Sequence, residues 1–185
     1  MEKRGPSNTN LERDIEMRTE IKLTAEQREK ILKENWISHD ARWFLKVAQE
    51  LGFDVANRLN QIVIRSMGKT EAKRFLRESG FGEVKNIEDL LYIFEEGCRL
   101  YYPEEHEYEF KIMDKNTILG IVTRCIAYDG VKKAGVTDLY QCGCMTRHGA
   151  WLEAFGLDGE AFIRKSMMKG DNVCEVVCKI KEWKI

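Results

Sequence analysis

Between Thr24 and Gly52 the apolar residues keep a helical period, with Leu32, Trp36, Trp43, Val47 and Leu51 along one stripe. Thr24-Ala-Glu-Gln27 has the spacing of a capping box, in which a hydroxyl and an amide satisfy two otherwise orphaned backbone N–H groups. The stretch is therefore predicted as one long helix, or two with a bend near Ser38. Asp54 is placed to cap a second helix that stops at Gly68, Thr70 a third that stops near Gly80, and Asn86 a fourth that ends before Pro103. Residues 1–22 are polar, carry Gly5 and Pro6, and read as a flexible tail with room for a short helix from Leu11 to Met17.

The period shortens at residue 107. EYEFKIM alternates, DKN is a turn and TILGIVT is rich in β-branched residues, so the segment predicts a β-hairpin. Two helices follow, at roughly 125–134 and 139–155, closed by Gly135 and Gly156. AFIRKSMM and VCEVVCKIKEW, separated by KGDN, form a second hairpin signal. The predicted fold class is α+β: an N-terminal helical half (23–103), then a ββααββ unit (106–185) whose small antiparallel sheet is covered on one face by helices, the whole forming a single domain over 23–185.

Charge and composition narrow the function classes. With 30 basic and 31 acidic residues the net charge is −1, which gives no reason to expect nucleic acid or an anionic membrane surface as partner. No apolar run approaches the ~18 residues a membrane helix needs, and MEKRGPSNTNLERDIE lacks the apolar stretch of a signal peptide. A soluble cytoplasmic protein is the expectation, and there six cysteines are reduced thiols available as ligands, nucleophiles or core residues. A homodimer through the helical half is compatible with the pattern, although no exposed heptad seam demands one.

The densest chemistry lies in CGCMTRHGAW, residues 142–151. If the stretch is helical, Cys144 and His148 fall on the apolar face with Trp151 and Phe155 at ~3.6 residues per turn, and Cys142 falls on the opposite face. The two cysteines then cannot share one ion. Cys144 and His148 stand at i, i+4, a spacing that suits a thiol–imidazole pair or a metal, as well as a buried Cys beside a core His bonded to a carbonyl. Cys125 is predicted at a helix N-terminus, where the dipole lowers a thiol pKa. Cys174 and Cys178 share a strand face but lie about 13 Å apart at ~3.3 Å per residue. Cys98, beside large apolar residues, reads as core. In WISHDARWF, Trp36, Asp40, Trp43 and Val47 share a stripe with His39 on its edge, so Asp40 is expected to point inward between two indoles. That carboxylate is either a bridge to Arg42 or Arg58, or a base or ligand anchor tuned by apolar walls.

WISHDARWFLKVAQELGFDVANRLN resembles the amino-terminal helix of a family of small bacterial and archaeal cytosolic proteins. The stretch from VTRCIAYDGV to KGDNVCEVV is similar to the L-2-amino-thiazoline-4-carboxylic acid hydrolase-like family, and its closing hairpin to the 4-vinyl reductase type of small-molecule-binding domain. Together these cover nearly all of residues 30–181. Cys125, Cys144 with His148, and Gly170-Asp171 with Cys174 fall on the family's positions. The resemblance implies a hydrolase-like enzyme acting on a small cyclic amidine or amide-like carbon. In that picture Asp40 or His39 positions water or substrate, and Cys144, activated by His148, is nucleophile or proton donor. The alternative is a binding or sensory module without chemistry, its apolar pocket lined by Trp36, Trp43, Trp151 and Phe155. Cys125 and Cys174 are counted with the substrate-binding groups. No cofactor is expected. A zinc set of Cys125, Cys144, His148 and Cys174 lacks any knuckle spacing, so no tightly bound structural metal is expected either.

Overall fold

The computed structural model describes residues 21–183; the predicted tail and its short helix lie outside them, except for its last two residues. Three helices come first: α1 (Ala25–Leu51), α2 (Phe53–Ser79) and α3 (Ile87–Tyr101). They are followed by strands β1 (Glu107–Asp114) and β2 (Thr117–Arg124), helices α4 (Ile126–Lys133) and α5 (Cys144–Ala154), and strands β3 (Asp158–Lys165) and β4 (Cys174–Glu182). A short 3₁₀ turn, Met167–Lys169, sits inside the last hairpin. The fold is α+β, a helical half followed by a four-stranded antiparallel sheet in the order β1-β2-β4-β3.

Local chemistry accounts for most boundaries. The Thr24 hydroxyl accepts from Gln27 N–H while the Gln27 side chain accepts from Thr24 N–H, which completes the capping box of α1. Asn86 Oδ1 accepts from Asp89 N–H at the start of α3. No bend divides α1 near Ser38, and Gly68 does not end a helix. The second and third predicted helices are one, because Gly68 is a point of close approach: a Cβ there would stand 3.1 Å from Ala150 Cβ and 3.2 Å from Arg147 O on α5. Its missing side chain lets α2 and α5 pack backbone to backbone.

The main core lies between the sheet and helices α3 and α5. Leu90, Ile93 and Phe94 of α3 meet Trp151 and Leu152 of α5 over Ile118, Val176, Cys178 and Ile180. At roughly 1.5–3 kcal/mol for each large apolar side chain removed from water, this layer dominates the stability. The sheet registers Leu119 against Val177 and Ala161 against Cys178, which keeps alternate residues of β2 and β4 on the helix side. A smaller cluster of Phe44, Ala48 and Ala56 joins α1 to α2, with Tyr140 edge-on to Phe44. Among the described residues no helix is long and apolar enough to cross a membrane.

Candidate functional site

α5 begins at Cys144, with Gly143 as its N-cap, five residues later than the pattern predicted. Residues 136–143 are a loop, fixed by two amide side chains one turn apart on α2. Asn57 Nδ2 donates to Leu139 O (2.8 Å) and its Oδ1 accepts from Gln141 N–H (2.9 Å). Gln61 Nε2 donates to Gln141 O and Cys142 O, and Gln61 Oε1 accepts from the Thr146 hydroxyl. Gly143 is pressed against α2 as well, since a Cβ there would meet Ile64 Cδ1 at 2.2 Å.

This loop overturns the expected separation of the two cysteines. Cys142 precedes the helix, so the helical angle between it and Cys144 does not apply, and their sulfurs lie 3.3 Å apart. The two thiols share a hydrogen bond, and the Cys144 backbone N–H at the helix N-terminus adds a second one to Cys142. These hydrogen bonds outweigh burial and lower the Cys142 thiol to about 7. The same pairing, with burial, pushes Cys144 well up. Cys142 is thus the more acidic sulfur of the pair.

Cys142 and Cys144 both line a cavity of about 210 Å³ bounded by α1, α2, α4, the end of α3 and the start of α5. The volume is below the roughly 300–1,000 Å³ of drug-sized pockets, so its occupant is small. Ile37, Phe44, Ile64, Met67 and Val131 make its walls mostly apolar. Polar groups on the lining include Asp40, Asn60, Tyr140 and Arg147. Burial, the two sulfurs and Asp40 raise the Tyr140 hydroxyl, against a hydrogen bond with the Asn60 side chain. Desolvation raises Asp40 above the usual carboxylate value, with His39 and Arg147 pulling the other way.

Of the residues picked out in the sequence, Trp36, Asp40 and Cys144 line this cavity. The expected inward stripe on α1 is corrected: Trp43 is 65% exposed, Trp36 is 51% exposed, Asp40 is exposed as well, and Phe44 and Ala48 face inward instead. His39 is exposed and off the lining. His148 does not reach the Cys144 thiol. Its Nδ1 lies 2.8 Å from the Cys144 carbonyl oxygen, which can only accept, so Nδ1 carries the proton. The ring packs edge-on against Phe94, and burial lowers its pKa to about 4. Cys125 is buried at the start of α4, where desolvation outweighs the backbone donors and raises its thiol to about 11. Cys174 Sγ accepts from Met167 N–H (3.3 Å) in the last hairpin. Trp151 is buried and donates its indole N–H to Glu71 Oε2 (3.2 Å). Cys98 is buried, as predicted. Among the described residues no group of three His, Cys, Asp or Glu side chains is disposed to hold a metal ion.

A buried clamp behind the pocket was missed from sequence. Arg147 donates Nε to Glu71 Oε2 (2.8 Å), Nη2 to Glu71 Oε1 (2.6 Å) and Nη1 to the Tyr102 hydroxyl (2.7 Å). The aromatic rings of Tyr101, Tyr102 and Trp151 surround its guanidinium. The Glu71–Arg147 pair bolts α2 to α5 one turn beyond Cys144.

The model of the L-2-amino-thiazoline-4-carboxylic acid hydrolase family matches residues 29–177, most of the chain. The chain belongs to that family. No curated protein sequence matches it significantly. Among solved structures, a trafficking protein particle complex subunit 3 from Naegleria fowleri, covalently bound to palmitic acid, is 14% identical and aligns over 84% of this chain and 99% of its own, with a TM-score of 0.63. That likeness is one of fold. The H-NOX domain SO2144 from Shewanella oneidensis, in its Fe(II)CO state, is 15% identical over 77% of this chain and 76% of its own, with a TM-score of 0.47. Family membership marks the chain as hydrolase-like.

Proposed function

We propose that the protein hydrolyses a small cyclic amidine or amide-like compound in the α1–α2–α4 cavity, with Cys142 as the nucleophile. One observation carries the reading: a cysteine at a helix N-terminus, hydrogen-bonded to a second thiol 3.3 Å away and lining a mostly apolar cavity. A thiol near pH 7 has a large thiolate fraction at neutral pH and keeps its nucleophilicity. The Cys142 sulfur adds to the amidine carbon and the C–N bond to the leaving nitrogen breaks. Cys144, the less acidic thiol beside that sulfur, is the adjacent source for the proton the nitrogen takes. Water then cleaves the thioester-like intermediate, so the net change is addition of one water and opening of one C–N bond. Relative to the expectation from sequence, the nucleophile moves from Cys144 to Cys142, and Cys144 keeps the proton-donor role.

The test is turnover of a panel of cyclic amidines that includes 2-amino-2-thiazoline-4-carboxylate. At least one compound is expected to be consumed, with kcat reduced by about 10²-fold or more in Cys142→Ala. Unchanged turnover in that variant would remove Cys142 from the chemistry. The mostly apolar lining favours a second reading, a binding module without chemistry. In that case a ligand raises the melting temperature and is recovered intact.

A further inference from the structure

Besides the Cys142 sulfur, only two ionisable side chains with a full charge among the described residues line the cavity, Asp40 and Arg147, and they stand in opposite conditions. Arg147 is committed: three of its N–H groups go to Glu71 and Tyr102, and aromatic rings surround its guanidinium. Drawing it onto a ligand carboxylate would leave Glu71, itself 6% exposed, with an uncompensated buried charge. Asp40 makes no hydrogen bond or ion pair with another described residue, and it is a solvent-exposed member of the lining, next to Ile37 and Phe44 on α1. Trp36, one helical turn earlier on α1, brings an exposed indole to the same rim. A carboxylate beside an aromatic face is the pairing that takes an organic cation.

We infer that the cavity selects an amidinium cation with an apolar body and no carboxylate of its own, held at the mouth by Asp40 and Trp36. The inference rests on the cavity being the substrate site proposed above. It departs from the substrate in the family's name, which carries a carboxylate that this lining offers no free cation to receive. The charge also suits the chemistry, because a protonated amidine presents a more electrophilic carbon to the Cys142 thiolate, and addition of sulfur to it cancels both charges.

The experiment is calorimetric binding of two probes that differ by one group, 2-amino-2-thiazoline and 2-amino-2-thiazoline-4-carboxylate. Each is titrated into wild type, Cys142→Ala and Asp40→Asn, with turnover followed separately. The compound without the carboxylate is expected to bind at least about tenfold more tightly to wild type and to Cys142→Ala, and Asp40→Asn to lose most of that preference. Asp40→Glu, which keeps the charge, is expected to retain it. Equal or tighter binding of the carboxylate, an unaltered preference in Asp40→Asn, or binding of neither probe would overturn the inference. If Cys142→Ala shows the preference while wild type consumes neither probe, the charge selection stands and hydrolysis falls.

Discussion

At the residue scale the chemistry turns on which of two adjacent thiols holds the proton. The hydrogen bond between the two thiols and the backbone N–H of Cys144 favour the Cys142 thiolate, and the same pairing pushes the Cys144 thiol up. Where Cys142 reacts as thiolate, kcat/KM rises with pH and levels off above about 7. In Cys144→Ala the sulfur loses one hydrogen bond, and the midpoint is expected to move up toward the ~8.5 of an ordinary thiol. A pH–rate profile with an unmoved midpoint would show that Cys144 does not set the ionisation. Trp43 gives the opposite case. It stands out in the sequence, yet it is exposed and off the pocket, so Trp43→Ala is expected to change stability by less than ~0.5 kcal/mol and to leave ligand binding intact, as thermal melts and titrations would show.

At the element scale, the site is a loop held by a helix. Asn57 and Gln61 bond the backbone on either side of Tyr140 and Cys142, replacing the regular structure this segment lacks. Asn57→Ala is expected to cost about 1–3 kcal/mol, since it leaves the Gln141 N–H and the Leu139 carbonyl without their partner, and to slow alkylation of Cys142 as the loop loosens. Urea melts and thiol kinetics measure the two effects independently. These elements also mark how far the sequence could be read. Thr24, Gln27 and Asn86 carry their capping chemistry in their own side chains, so the starts of α1 and α3 were legible, as were both hairpins. Gly68 and Cys142 were misread for one reason: their roles are set by partners distant in the chain. Gly68 is a contact point for Ala150 and Arg147, and Cys142 is held out of the helix by Asn57 and Gln61. Sequence periodicity does not register either contact.

At the scale of the whole molecule, the sheet-side core carries stability while the helical half carries the cavity. Two buried histidines couple the parts to pH. Burial lowers both His106 and His148 to about 4 from a normal 6.5, and His106 Nδ1 has no hydrogen-bond partner among the described residues. Between those values the unfolded chain binds protons that the folded chain refuses, so stability is full above about 6.5 and falls as pH drops toward 4. The loss is on the order of 3 kcal/mol for each group across the full window. The urea midpoint is expected to fall between pH 7 and pH 5, before most carboxylates titrate; a flat midpoint over that range would mean that neither ring is buried neutral. The central claim is that Cys142 is the reactive sulfur of the cavity. It is tested most directly by site-resolved alkylation of the native protein with iodoacetamide at pH 7, read by peptide mass mapping of all six thiols. The expected result is rapid modification at Cys142, with Cys98, Cys125, Cys144, Cys174 and Cys178 lagging by tenfold or more, on the order of one pKa unit's worth of thiolate. Faster labelling of Cys144 or Cys125, or uniform slow labelling of all six, would contradict it.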